Sequence, residues 1–151
     1  MTKEVLISIT GLHYEVVPGE EMTEETEPIE VITPAVYYFK NGKHYILYDE
    51  IVEGIPGCIK NKVRVSPEEG ILELTKSGIT RTNMIFEKGK IHMSQYNTPY
   101  GELLMGIYTK EMQCHEEERL IKIDASYTLD INGEKVADCE IGIRVRAKGE
   151  V

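Results

Sequence analysis

The sequence predicts an all-β protein, a single antiparallel and mostly up-and-down barrel of about eight to ten strands. Short runs rich in Val, Ile, Thr and Tyr recur along the whole chain and are separated by turn residues. Helical periodicity is weak throughout. Because consecutive runs are joined by hairpin signals, we expect a closed barrel, in which no strand edge stays exposed.

Turn residues divide the chain into ten extended runs. Asn-Gly, the strongest local signal for a hairpin, joins two pairs of runs at Asn41-Gly42 and Asn132-Gly133. The predicted strands are Glu4–Val17, Ile29–Lys40, Lys43–Val52, Lys60–Val65, Ile71–Thr75, Ile79–Glu87, Lys90–Tyr96, Glu102–Cys114, Leu120–Ile131 and Glu134–Ala147.

The last two runs show the strand period most clearly. From Ile121 to Ile131 an apolar residue occupies every second position, and the same alternation returns from Cys139 to Val145. A period of two indicates strands with one buried face and one solvated face. The best candidate for a helix instead of a strand is Lys110–Leu120. Its run of glutamates has no apolar stripe, which argues against a helix.

Length and patterning indicate one domain over residues 1–151, since no linker or repeat divides the chain. No apolar stretch approaches the roughly 20 residues of a spanning helix, and the N-terminal run has no signal-peptide pattern. The three cysteines form no CxxC pair, which gives no support for a structural zinc site. We therefore expect a cytoplasmic protein with reduced thiols and no membrane association.

The negative charge is concentrated near the N-terminus. The chain has a formal net charge of −9, but no Lys or Arg lies between Glu4 and Phe39, where eight glutamates occur. The rest of the chain is nearly neutral. We expect the acidic 18–28 segment to be a solvated loop that protects an edge or a mouth of the barrel. Without a basic cluster, the sequence argues against nucleic-acid binding.

A series of short motifs, in this order and spacing, resembles the YwiB-like family of uncharacterised bacterial proteins. The resemblance spans nearly the whole chain, and the motifs are Val36–Lys40, His44–Glu50, Lys62–Ser66, Leu74 with Ser77-Gly78, Met84–Phe86 with Gly89, Thr98–Leu103 and Ile123–Tyr127. It implies a calycin-like (lipocalin-like) β-barrel and a cytoplasmic bacterial protein. It brings no catalytic residues.

The usual signatures of catalysis are missing from the sequence. There is no GxGxxG, GxxxxGK[ST], HExxH or GxSxG motif. Neighbouring residues of a strand face opposite ways, so neither Cys114-His115 nor Asp49-Glu50 is expected to act as a pair. The four histidines are scattered, and no spacing rule assigns them to a metal. We assign no catalytic residue, metal or cofactor.

Tyrosine is the one residue type whose abundance hints at a function. Nine tyrosines accompany two phenylalanines and no tryptophan, and tyrosine suits a small ligand cavity because it combines an apolar ring with a polar tip. The other interpretation is that the tyrosines fill the core and pair with side chains on neighbouring strands. The candidate ligand-binding residues, including one in the Thr98–Gly101 turn, are His44, Tyr45, Tyr48, Arg81, Asn83, Gln95, Tyr96, Tyr100 and Tyr127.

Three functions of different class remain open. The leading hypothesis is a barrel that binds a small ligand in its lumen or mouth. The second is a protein-interaction or self-associating barrel, for which the exposed edge of the last strand, including Val145, is expected to supply the contacts. The third, an enzyme of unrecognised type, requires a cluster of titratable groups in one cleft.

Overall fold

A computed structural model describes residues 2–15, 24–25, 29–51, 54, 57–78, 81–98 and 101–148, which form ten long strands and one two-residue strand. The strands are β1 (Thr2–Glu15), β2 (Glu24–Glu25), β3 (Ile29–Lys40), β4 (Lys43–Glu50), β5 (Ile59–Ser66), β6 (Ile71–Ser77), β7 (Arg81–Glu87), β8 (Ile91–Thr98), β9 (Gly101–Glu117), β10 (Leu120–Ile131) and β11 (Glu134–Ala147). The predicted all-β class is confirmed.

The strands form one antiparallel sheet in the order β7-β6-β5-β4-β3-β1-β11-β10-β9-β8, with β2 paired to β1 outside this path. Strands β3 to β7 form one meander and strands β8 to β11 form another. The first strand, β1, lies between them and pairs with β3 on one side and β11 on the other. The result is a nearly closed, up-and-down barrel, as the sequence predicts.

The remaining gap in the barrel lies between β7 and β8, which end the strand order on either side. The turn that joins these two strands is held against β9. The Gly89 amide donates to the Thr109 carbonyl at 2.8 Å, and the Thr109 amide donates to the Lys90 carbonyl at 3.3 Å. The sheet is therefore brought nearly to closure by a turn and not by a continuous ladder.

The interior is filled by the inward-facing side chains of both meanders. The largest of those that are almost fully buried are Phe86, Ile7, Ile46, Leu72, Ile107, Ile123 and Ile143. Tyr127 is buried among them, with its ring edge against Phe86 at a centroid distance of 4.9 Å. These side chains form a packed core, so a search for a binding site leads to the ends and the outer face of the barrel.

The structure excludes two alternatives that the sequence left open for the C-terminal half. The alternative of a helix over Lys110–Leu120 fails because β9 continues as a strand to Glu117, which pairs with Leu120 across the turn. The last strand is not an exposed edge either. Strand β11 has neighbours on both sides, and Val145 is only 3% exposed.

Of the acidic 18–28 segment, only Glu24 and Glu25 lie among the described residues. They form β2 and pair with Glu15 and Tyr14 near the end of β1. In the part of the chain that the structure describes, no helix has the length and apolar content needed to cross a membrane.

The predicted Asn-Gly turns are present, and both of their residues have positive φ. Asn132 and Gly133 have φ values of 50° and 87°, a conformation in which a Cβ atom is strained.

We expect Gly133→Ala to lower the free energy of unfolding by about 1 kcal/mol, measured by urea denaturation. Gly11 has an extended backbone, and an added Cβ would meet its nearest neighbour at 3.9 Å. Gly11→Ala is therefore the control, and an equal loss in both variants would contradict the turn argument.

Candidate functional site

A groove of about 800 Å³ lies along strands β3 to β7. The core residues Ile46 and Val63 establish which way these strands face. Because side chains alternate along a strand, Leu47 and Lys62 point outward. The register continues this outward row across four strands as Val36, Leu47, Lys62 and Thr75. All four residues line the groove, which is therefore a feature of the outer face of the barrel.

A second outward row lies two residues further along the strands. It consists of Asp49, Lys60, Ser77 and Arg81. Asp49 and Lys60 form an ion pair with an N–O distance of 3.3 Å. The row extends the groove toward the end of the barrel where β7 begins.

The lining of the groove is cationic although the protein is acidic. Four basic side chains, Lys60, Lys62, Arg81 and Lys148, face two acidic ones, Glu4 and Asp49. Among the described residues, Lys62, Arg81 and Lys148 have no ion-pair partner. The groove thus carries a net charge of about +2 in a chain whose formal net charge is −9, and it favours anions by Coulomb attraction.

Tyr48 follows Leu47 on β4, so its ring points inward and packs against the core, and it keeps its phenolic proton far above neutral pH. Burial raises the pKa of Tyr48 to about 12, with a smaller contribution from the Glu50 carboxylate. That carboxylate accepts hydrogen bonds from the Asn61 side-chain amide at 3.3 Å and from the Lys76 ammonium at 3.4 Å. The phenol of Tyr48 therefore stays protonated at neutral pH, on the inner side of the sheet behind the groove.

A second cluster lies near the β3–β4 turn, where Tyr37, His44 and Glu116 form a hydrogen-bonded chain. The Tyr37 hydroxyl lies 2.6 Å from Nδ1 of His44, and Nε2 of His44 contacts a Glu116 carboxylate oxygen. A neutral imidazole satisfies both contacts, since Nδ1 then accepts from the phenol and Nε2–H donates to the carboxylate. The chain connects β3 and β4 to β9 across the barrel end.

This cluster is better suited to structure than to nucleophilic catalysis. His44 is buried, and burial together with the Glu116 charge raises the pKa of Tyr37. A raised pKa makes the phenolate less accessible at neutral pH, which is the opposite of what an activated nucleophile needs. The cleft beside the cluster measures only about 110 Å³. Among the described residues, no group of three His, Cys, Asp or Glu side chains is placed to hold a metal ion.

The structure disperses the predicted ligand-binding residues. Tyr48 and Arg81 are among the residues that border the groove, whereas His44 belongs to the second cluster and Tyr127 is in the core. Tyr45 is on the outer face, where its ring stacks on Tyr38 at 4.7 Å.

Of the other four predicted residues, the described Asn83 and Gln95 are not among the lining residues of the groove. Asn83 follows Thr75 in the first outward row, and its buried Oδ1 has no hydrogen-bond partner. Gln95 is exposed on β8. Tyr100 lies outside the described residues, as does the side chain of Tyr96.

Sequence reasoning missed the groove residues Lys62 and Lys148, and also Tyr37 and Glu116 of the cluster. A signal for the groove was present in β3 and β4. Val36 and Leu47 are apolar at outward positions, where an antiparallel strand with one buried face normally carries polar residues. The contact between His44 and Glu116 joins residues 72 positions apart, and no local pattern could have revealed it.

Replacing the imidazole of the cluster should destabilise the barrel. We expect His44→Phe to lower the free energy of unfolding by about 1–3 kcal/mol, because the Tyr37 hydroxyl and the Glu116 carboxylate both lose a partner. Chemical denaturation measures this difference. His115→Phe is the matched control, since the His115 side chain is 67% exposed. A similar loss in both variants would show that the cluster contributes no specific stability.

The pKa of Tyr48 predicts a stability change at high pH. The folded protein holds the phenolic proton to about pH 12, whereas the unfolded chain releases it near pH 10. The contribution of the protonated Tyr48 phenol to the free energy of unfolding is therefore complete below pH 10 and is lost as pH rises to 12. Over this interval we expect the parent protein to lose about 1–2 kcal/mol more stability than Tyr48→Phe, allowing for partial exposure of the ring. The exposed Tyr108→Phe should follow the parent, and identical pH slopes for Tyr48→Phe and the parent would refute the prediction.

Comparisons with known proteins agree with this architecture. The uncharacterized beta-barrel protein YwiB of Bacillus subtilis (strain 168) is 32% identical over 109 residues, which cover 72% of this chain and 74% of that protein. The crystal structure of the ywiB protein from Bacillus subtilis matches with a TM-score of 0.76 at 24% identity, over 98% of this chain and 94% of that one. This structural match shows the shared barrel fold.

The family assignment rests on a match along most of the chain. The model of a domain of unknown function, DUF1934, matches residues 17–143. Together with the similarity to YwiB, this confirms the resemblance seen in the sequence motifs. The chain belongs to the DUF1934 family.

Proposed function

We propose that this protein is a binding module for a small anionic molecule, which it holds in the outer groove of strands β3 to β7. The main support for an anion site is that Lys62, Arg81 and Lys148 line the groove without an ion-pair partner among the described residues. A cationic groove on a net-acidic protein concentrates anions at one place and disfavours them elsewhere.

Neutral hydrogen-bonding groups add to this charge. The hydroxyls of Thr75 and Ser77 lie in the two outward rows beside Lys62 and Arg81. Ammonium and guanidinium groups together with hydroxyl donors suit a phosphate or a carboxylate. The proposal keeps the leading hypothesis of a ligand-binding barrel but puts the site on the outer face, whereas the sequence favoured the lumen or mouth.

We also propose a cytoplasmic location. Cys58 and Cys114 are exposed thiols, and no disulfide joins them to each other or to buried Cys139. Thiols persist in the reducing cytoplasm, whereas oxidising compartments favour disulfides.

Anion binding is tested by titrating the protein with inorganic phosphate at constant ionic strength. Backbone amide NMR shifts should move for Lys62, Thr75 and Ser77. We expect the double substitution Lys62→Ala with Arg81→Ala to weaken phosphate binding by about fivefold, since each exposed charge contact contributes modestly.

Lys40→Ala and Lys3→Ala together form the control, because they remove the same total charge outside the groove. These substitutions should change phosphate affinity less than twofold. Shifts spread over the whole surface, or an equal loss in the control, would overturn the proposal.

A further inference from the structure

We propose that the ligand of the groove is an anionic amphiphile, an inference that rests on the proposed anion site. Its charged group lies at Lys62 and Arg81, and its apolar part lies across β3 toward β1. The groove is asymmetric in chemistry along one direction. Three of its four cations, Lys60, Lys62 and Arg81, belong to β5 and β7, and the fourth, Lys148, lies beside Glu4. Its apolar residues Val36 and Leu47 belong to β3 and β4.

The register shows that this asymmetry is continuous. Leu47 lies directly between Val36 on β3 and Lys62 on β5 in the same outward row. Neighbouring strands are about 4.8 Å apart, so the row spans roughly 10 Å from Val36 to Lys62. A molecule lying along the row would contact apolar side chains at one end and an ammonium group at the other.

The apolar end extends beyond the groove. Pro34 lines the groove and is paired with Leu6 on β1, and Ile32 follows Pro34 on the same outward side. Leu6, Val36 and Ile32 are 36%, 40% and 58% exposed. Outward positions of a solvated sheet face are normally polar, and contiguous exposed apolar side chains mark binding surfaces.

The charge distribution decides which end holds the anionic group. Lys60 is neutralised by Asp49, and the outward row ends on β1 with Glu4, beside Lys148. At the β1 end the charges of Glu4 and Lys148 offset each other, whereas Lys62 and Arg81 at the other end have no acidic partner among the described residues. The anionic group is therefore assigned to the β5–β7 end and the apolar chain to the β1–β3 end.

A series of alkyl phosphates separates this inference from the proposed function. Inorganic phosphate, butyl phosphate and octyl phosphate, each below its micelle concentration, are titrated by calorimetry. We expect affinity to rise by about two- to fourfold for each methylene that is buried. Equal affinity for all three probes would overturn the amphiphile and leave the anion site standing. Failure of all three to bind would overturn the proposed function as well.

The two ends are then tested by substitution. Ile32→Ser with Val36→Ser should reduce octyl phosphate affinity by at least tenfold while changing phosphate affinity less than twofold. Ile91→Ser is the matched control, because Ile91 is 57% exposed on β8, away from the groove, against 58% for Ile32. If Lys62→Ala with Arg81→Ala leaves octyl phosphate binding unchanged, the assignment of the anionic group is wrong.

The same chemistry could come from a membrane surface, which a further arm of the experiment distinguishes. Vesicles of phosphatidylcholine with phosphatidylglycerol are sedimented with the protein. A free amphiphile predicts that the protein stays in the supernatant and that octyl phosphate binds. Co-sedimentation without octyl phosphate binding would overturn the free ligand in favour of a lipid surface.

Discussion

The pairing of the first long strand with the last one is the interaction on which the rest of this barrel depends. Strand β1 pairs with β11 from Val5↔Ala147 to Glu15↔Ala137, and this ladder joins the two meanders into one sheet. It also places Ile7 beside Val145 in the core and the partly buried Ile9 beside the buried Ile143. The ladder closes a loop almost as long as the chain, so its loop-closure entropy must be offset by burial in both meanders.

Closure at the opposite side of the barrel depends on different groups. Between β7 and β8 the sheet relies on the turn at Gly89 and Lys90, which bonds to Thr109. At the barrel end the chain of Tyr37, His44 and Glu116 reaches from β3 and β4 to β9. The β1–β11 side of the barrel is closed by a continuous ladder, whereas the β7–β8 side is closed by a turn and by side chains. Local unfolding is therefore expected first on the β7–β8 side.

The packed interior explains why the groove is on the outside. The residues Phe86, Tyr127 and Ile123 occupy space that a barrel with an open lumen would leave for a ligand. Outward-facing side chains are free of this packing constraint. The outer faces of β3 to β7 can therefore combine Val36 and Leu47 with Lys62 and Arg81, a combination that core packing does not require and that the proposed ligand explains.

The sequence by itself determined the strands, the hairpins and the barrel, because alternation and Asn-Gly turns are local properties of the chain. The strand bounds of β3, β10 and β11 agree with the prediction at both ends. Only the tertiary structure decided which residues lie together. Strand β11 pairs with a neighbour on both sides, His44 contacts Glu116, and Lys62 and Arg81 line the same groove. These contacts depend on sheet register and on closure between distant strands, so the packing of the whole barrel determines them and the local order of residues does not.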